Sequence, residues 1–274
     1  MTLKGTFTRA FVLLALSSAW TPAVAREAVG TLPADPVQDP LMVTSGFLNG
    51  HPDLRFRMLG IEKYKSGEHK KALRHFQNAA FYGDKPSQGM VAEMLWTGTG
   101  TERDRARAYA WMDLAAERGY EGFAGMRERY WTDLSEDERA QALEVGQEVY
   151  ARYGDAAALP RIASKLRRER RSLTGSRTGF SGNVRIIIPT AVGSTEIDGS
   201  KFYDERYWDP AKYQAWQDSS WMKPRIATVN VGSAQQLPAD KQPSRIPPVA
   251  PLLDAPEPDA DDEMPRIEGL RDSP

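Results

Sequence analysis

Histidine occurs at three positions only, His51, His69 and His75, and cysteine at none. The missing thiol excludes disulfides, thiolate metal sites, a cysteine nucleophile and lipid attachment at an N-terminal cysteine. His69 and His75 are six residues apart, which puts them on different faces of a helix, without metal-ligand or triad spacing. No serine stands in a nucleophile elbow. Gly98 and Gly100 lie between two helical stretches and lack the strand and lysine of a phosphate-cradling loop. Carboxylate pairs such as Asp133 and Glu136 arise by chance in a chain that is 27% charged. The reading is therefore no catalytic residue, no cofactor site, no metal site and no enzyme. What remains is aromatic, because large rings supply contact area to a partner. Trp96 and Trp131 each follow an apolar residue assigned to the inner face of a helix, Leu95 and Tyr130, and Trp208 and Trp216 lie in a dense aromatic stretch. These four are the candidate partner-binding residues.

The first two tryptophans must be positioned by helices, and the helices recur. Ala72, Ala79, Ala80 and Gly83 return 36 residues later as Ala108, Ala115, Ala116 and Gly119. A fixed period of that size predicts stacked helical hairpins. Leu59, Gly60 and Tyr64 stripe a helix that Ser66 and Gly67 stop, and Ala72, Phe76, Ala79 and Ala80 stripe its partner. Gly83 and Pro86 separate that pair from the next, where Val91, Ala92 and Leu95 face inward. Asp104 is placed to cap a helix from Arg105 whose alanines are small because paired helices approach closely there, while Trp111 fills the space between layers. Phe123, Met126 and Tyr130 mark a fifth helix. Ser135 and Glu138 form a capping box for a sixth, striped by Ala142, Val145, Val149 and Tyr150.

Val91, Ala92, Leu95, Gly98, Gly100, Asp104, Ala108, Trp111, Ala115, Ala116 and Gly119 together resemble the Sel1-like repeat, a relative of the tetratricopeptide repeat. The preceding unit, with Tyr64, Gly67, Ala72 and Gly83, is similar to a shorter first repeat, and the following one keeps only the helix stripe. Thr101 stands where the family favours valine. The resemblance covers about 100 residues and implies a right-handed superhelix whose concave side binds partner proteins, in adaptors of bacterial envelope and host-interaction settings, with no catalytic repeat position. The implied fold class is mainly α: a short α-α solenoid of Sel1-like hairpins over 51–158, followed by a basic helix over 159–173, a small α+β unit over 174–232 and a disordered tail over 233–274.

The flanks carry their own signals. Lys4 and Arg9, an apolar run over 10–19 and Ala23-Val24-Ala25 read as a secretory signal over 1–25 cleaved after Ala25, which predicts a periplasmic or secreted protein with no transmembrane segment in the mature chain. Residues 26–50, with Pro33, Pro36 and Pro40, read as a flexible lead-in. Residues 183–188, 196–203 and 226–231 read as strands and 210–221 as a short helix behind an Asp209 cap. The aromatics between 202 and 221 are either a platform for cell-wall glycan or peptide, or the core of a unit too small to fold without large side chains. The tail is proline-rich and increasingly acidic, a composition that predicts disorder. A net charge of −1 favours no nucleic acid partner, and the basic run 165–171 reads as a solvated helix end. The partner expected is a protein or peptide of the envelope.

Overall fold

A computed structural model of the chain describes residues 45–174, 185–190, 193–222 and 243–259, all within one compact unit, Pro33–Pro274. The signal-peptide reading, the strand expected at 226–231 and the acidic end of the tail beyond Asp259 lie outside the described residues. The described part is mainly helical. Helix α1 spans Ser45–Gly50, α2 Pro52–Lys65, α3 His69–Phe81, α4 Lys85–Thr97, α5 Arg105–Ala115, α6 Glu121–Asp133, α7 Glu136–Tyr153 and α8 Asp155–Thr174. Strands β1 (Arg185–Thr190) and β2 (Gly193–Asp198) pair antiparallel, with Ile187 opposite Glu196, and α9 (Gly199–Phe202), α10 (Glu205–Trp208) and α11 (Pro210–Trp221) follow. Among the described residues no helix is long and apolar enough to cross a membrane.

The ends of the helices follow from their caps. Asp84 accepts from the Ser87 amide at 3.0 Å, Asp104 from the Arg107 amide at 2.8 Å, and Ser135 and Glu138 bond each other's backbone amides reciprocally. Asp209 accepts from the amides of Ala211 and Lys212 and starts α11 as its sequence predicts. Close packing then depends on small residues: a Cβ on Gly60 of α2 would lie 2.6 Å from the Phe76 ring of α3, so only glycine lets these helices meet as they do.

One large cluster joins Ala72, Phe76, Val91, Ala92, Leu95, Ala108, Trp111, Ala115, Tyr130, Ala142 and Val149 across α3 to α7. A second packs Phe56, Leu59, Ala79 and Phe81 against Ile162 and Leu166 of α8 and Tyr213 and Trp216 of α11, and a third packs Phe47, Leu48 and Leu54 against Phe202 and Trp208. These two clusters correct several expectations. Residues 45–50 are not a loose lead-in but a helix with Phe47 fully buried, because the aromatic C-terminal segment covers it. His51 stacks on Phe47 and braces the same junction, its ring nitrogens 2.8 Å from the Phe47 carbonyl and 2.7 Å from that of Tyr207. Burial, outweighing those contacts, lowers the imidazole to about 4. The aromatics of 202–216 do not form a core of their own; they complete that of α1, α2, α3 and α8. Residues 199–202, expected as strand, turn helical. The basic helix begins at Asp155, not Leu159, with Pro160 inside it, because Gly154 breaks α7 and Lys85 and Arg118 fix Asp155.

That fixation belongs to an ionic hub. The Lys85 ammonium, 1% exposed, donates to the Leu114 carbonyl at 3.0 Å and to Glu117 at 2.6 Å and lies 3.1 Å from Asp155. Arg118 grips Asp155 with two nitrogens, at 2.7 and 2.9 Å, and reaches the Gly83 carbonyl. The start of α4, the end of α5 and the start of α8 thus meet at one charged point.

Candidate partner-binding groove

Helices α6 and α7 both rest on α5 and are tied to each other where Arg139 of α7 donates to the Trp131 and Thr132 carbonyls at 3.0 and 3.3 Å and lies 5.3 Å over the Trp131 ring. Between them opens a wedge. Its floor is Tyr109 and Asp113, one turn apart on α5; one wall is Arg127, Glu128 and Trp131 of α6, and the other is Gly146 and Tyr150 of α7. Asp113 is fully buried, accepts from the Tyr150 hydroxyl at 2.8 Å and has Arg127 at 3.6 Å. Burial raises its carboxyl above the usual aspartate range, against the pull of its hydrogen bonds and of Arg127.

The wedge is filled by the chain itself. Residues 243–259, where a disordered tail is expected, run across α5 to α8 without helix or strand. Ser244 Oγ donates to Asp113 Oδ2. Arg245 forks onto Glu128, Nη1 to Oε1 at 2.9 Å and Nη2 to Oε2 at 2.5 Å, donates to the Tyr109 hydroxyl at 3.3 Å, and lies 4.9 Å over the Trp131 ring. The Arg245 hydrogen bond, outweighing partial burial, holds Glu128 below the usual glutamate range. Ile246 is 5% exposed and drops onto Gly146, where a Cβ would come within 2.5 Å of its Cδ1. Farther on, the Leu252 amide donates to the Ala151 carbonyl at 2.6 Å, one of the last four of α7 and so without a partner inside the helix. Arg161 donates to the Leu252 carbonyl at 2.5 Å, and Lys165 pairs with Glu257 at 3.0 Å. The tail composition supplies little apolar area, and these contacts replace it.

The four predicted partner-binding residues separate. Trp131 is half-buried and holds the tail's arginine. Trp96 stacks on Tyr130 at 3.9 Å beneath Arg105 at 4.6 Å, so the helices themselves occupy its faces. Trp208, 1% exposed with its indole N–H on the Phe202 carbonyl, and Trp216, 6% exposed, are core residues, which corrects their assignment to a binding surface. The same burial withdraws Phe202, Trp208, Tyr213 and Trp216 from any glycan-stacking surface, while Tyr203 and Tyr207 stay half-buried. Sequence reading missed Tyr109, Asp113, Glu128 and Gly146. A glycine inside an otherwise striped helix was the available signal, since it marks close approach by something. Among the described residues no group of histidines and carboxylates could hold a metal ion. Comparisons with family models, with curated proteins and with solved structures found no match.

Proposed function

We propose that the chain is an exported, non-catalytic Sel1-like repeat protein of the bacterial cell envelope, a scaffold that holds a partner protein in the wedge between α6 and α7. The repeat reading is supported by the correspondence at 36 residues: Ala72, Ala79 and Ala80 and their counterparts Ala108, Ala115 and Ala116 are all buried, and Gly83 and Gly119 both follow a helix with positive φ, 86° and 72°. Stacked hairpins of this kind present extended surfaces to peptides. Export rests on the charged, apolar and small-residue regions over 1–25.

The observation that carries the binding reading is the seated tail. A surface that accepts an extended segment through separate contacts to a hydroxyl, a guanidinium and an aliphatic side chain is built as a peptide site. The probe is a fluorescent peptide spanning residues 242–259, titrated into the mature chain carrying Arg245→Ala so that its own tail is weakened. Saturable binding is expected, and adding Glu128→Ala with Trp131→Ala should weaken it at least ten-fold while far-UV circular dichroism stays unchanged. If the Arg245→Ala chain binds no peptide, the groove is not a recognition site; if binding survives the double substitution, the site lies elsewhere.

A further inference from the structure

We propose that the partner of this groove carries an extended segment in which an arginine stands between a hydroxyl residue and a branched aliphatic residue followed by proline, and that residues 243–259 are a built-in competitor for it. The inference rests on the groove being a binding site.

Each part of the wedge reads one side chain. Glu128 offers two oxygens to two guanidinium nitrogens while Trp131 supplies a ring face and Tyr109 a further acceptor. A lysine can reproduce neither the fork nor the stacking, so the position selects arginine. Asp113 Oδ2, already accepting from Tyr150, takes a second hydroxyl from the segment, while Oδ1 faces the Arg127 guanidinium at 3.6 Å. Gly146 leaves a depression that one branched aliphatic residue fills. Pro247 and Pro248 cannot donate a backbone N–H and hold the chain out of helix, which keeps the three side chains in register.

The same contacts show why the tail can leave. Of residues 243–259 only Ile246 is buried; Arg245 and Glu128 are each 25% exposed in their side chains, and Glu257 is 54% exposed. The exposed Lys165–Glu257 pair holds weakly, so the seat rests chiefly on the Arg245 fork and on Ile246. Covalent attachment adds to them by presenting the segment at an effective concentration on the order of millimolar. A partner segment of the same chemistry must overcome that local concentration, so the chain responds to partners that are abundant or that bind at a second point.

The test compares the wild-type full chain with the full chain carrying Arg245→Ala, both titrated with the fluorescent peptide of residues 242–259. Arg245 is half-buried at the groove rim, so its removal leaves the fold in place; Ile246→Ala serves as the second variant and should act in the same direction. The expected result is at least ten-fold tighter binding of the probe by the variants than by wild type, and a probe carrying Arg245→Lys should bind at least ten-fold more weakly than the native one. Equal binding by wild type and variants overturns the competition and leaves the groove reading standing. Absence of binding in every chain overturns the groove reading and the inference with it. A lysine probe that binds as well as the native one overturns the arginine selection. Sedimentation completes the set: if wild type is a dimer and Arg245→Ala a monomer, the segment in the groove comes from a second copy and competition within one chain is overturned.

Discussion

Replacing Gly100 by alanine is expected to destabilise the fold by about 3 kcal/mol, because two separate costs fall on one Cβ. Gly100 has φ +74°, a left-handed conformation that costs a side chain roughly 1–2 kcal/mol. In addition, a Cβ there would lie 2.6 Å from the His69 carbonyl carbon and 2.7 Å from its oxygen. That backbone begins α3 and cannot retreat without moving the helix, so the overlap adds about 1–3 kcal/mol. Gly119 is the internal control: its φ is +72°, but a Cβ there meets nothing within 4 Å. Urea unfolding should show Gly119→Ala losing only the backbone part, roughly 1 kcal/mol, with both variants keeping the wild-type m-value. Equal losses at the two glycines would mean that the loop between α4 and α5 yields to α3 instead of being clamped by it.

The second large effect is at Lys85. Substitution to methionine keeps the length of the side chain and removes the cation, leaving Glu117, Asp155 and the Leu114 carbonyl without their shared donor. Breaking a buried pair by deleting one partner typically costs 3–5 kcal/mol, and about 3 is expected here, since Glu117 and Asp155 retain 26% and 19% exposure and Arg118 still holds Asp155. The pH dependence is a sharper check. Burial works against ionising Asp155, but Lys85 and Arg118 outweigh it and hold the carboxyl down to about 2. A carboxyl lowered on folding stabilises the fold fully above its unfolded value of 3.8 and loses that contribution as pH falls toward 2. With Lys85 gone less of that contribution exists, so the stability gap between wild type and Lys85→Met should be full at pH 7 and narrow between pH 4 and pH 2. Urea midpoints at pH 7 and pH 3 would reveal it; a gap that stays constant would show that packing, not charge, carries the loss.

The helices were readable where a residue's role is local. Asp104, the Ser135–Glu138 box and the Asp209-Pro210 start each satisfy or replace amides of the adjacent turn, so spacing alone reveals them. Buried alanines 36 residues apart were equally plain, because close approach of paired helices leaves a periodic trace. The aromatics of 202–216 were not, since density says that a core exists but not whose: Phe202 and Trp208 meet Phe47, some 155 residues earlier, and nothing in either stretch encodes the other. The groove was the least readable. Trp131 was found by its place beside an inward residue, whereas Glu128 looks like any acid on a solvated helix until Arg245 reaches it. The tail has no apolar period at all, and Ile246, the single buried residue among its described ones, is invisible to any argument from composition.

Gly146 gives the groove a timescale as well as a shape. A glycine inside a helix costs about 1 kcal/mol relative to alanine, so α7 opposite Ile246 is intrinsically weaker than the stretches on either side of it. With Ile246 seated the deficit is covered; with the groove vacated, the middle of α7 opens more often. Local opening is what amide hydrogen exchange measures. The amides around Gly146 should therefore exchange faster in Arg245→Ala than in wild type and slow again when peptide is added, while those of α4, away from the tail, stay as they were. Helix α7 would then report occupancy from its own backbone, with no label on the ligand.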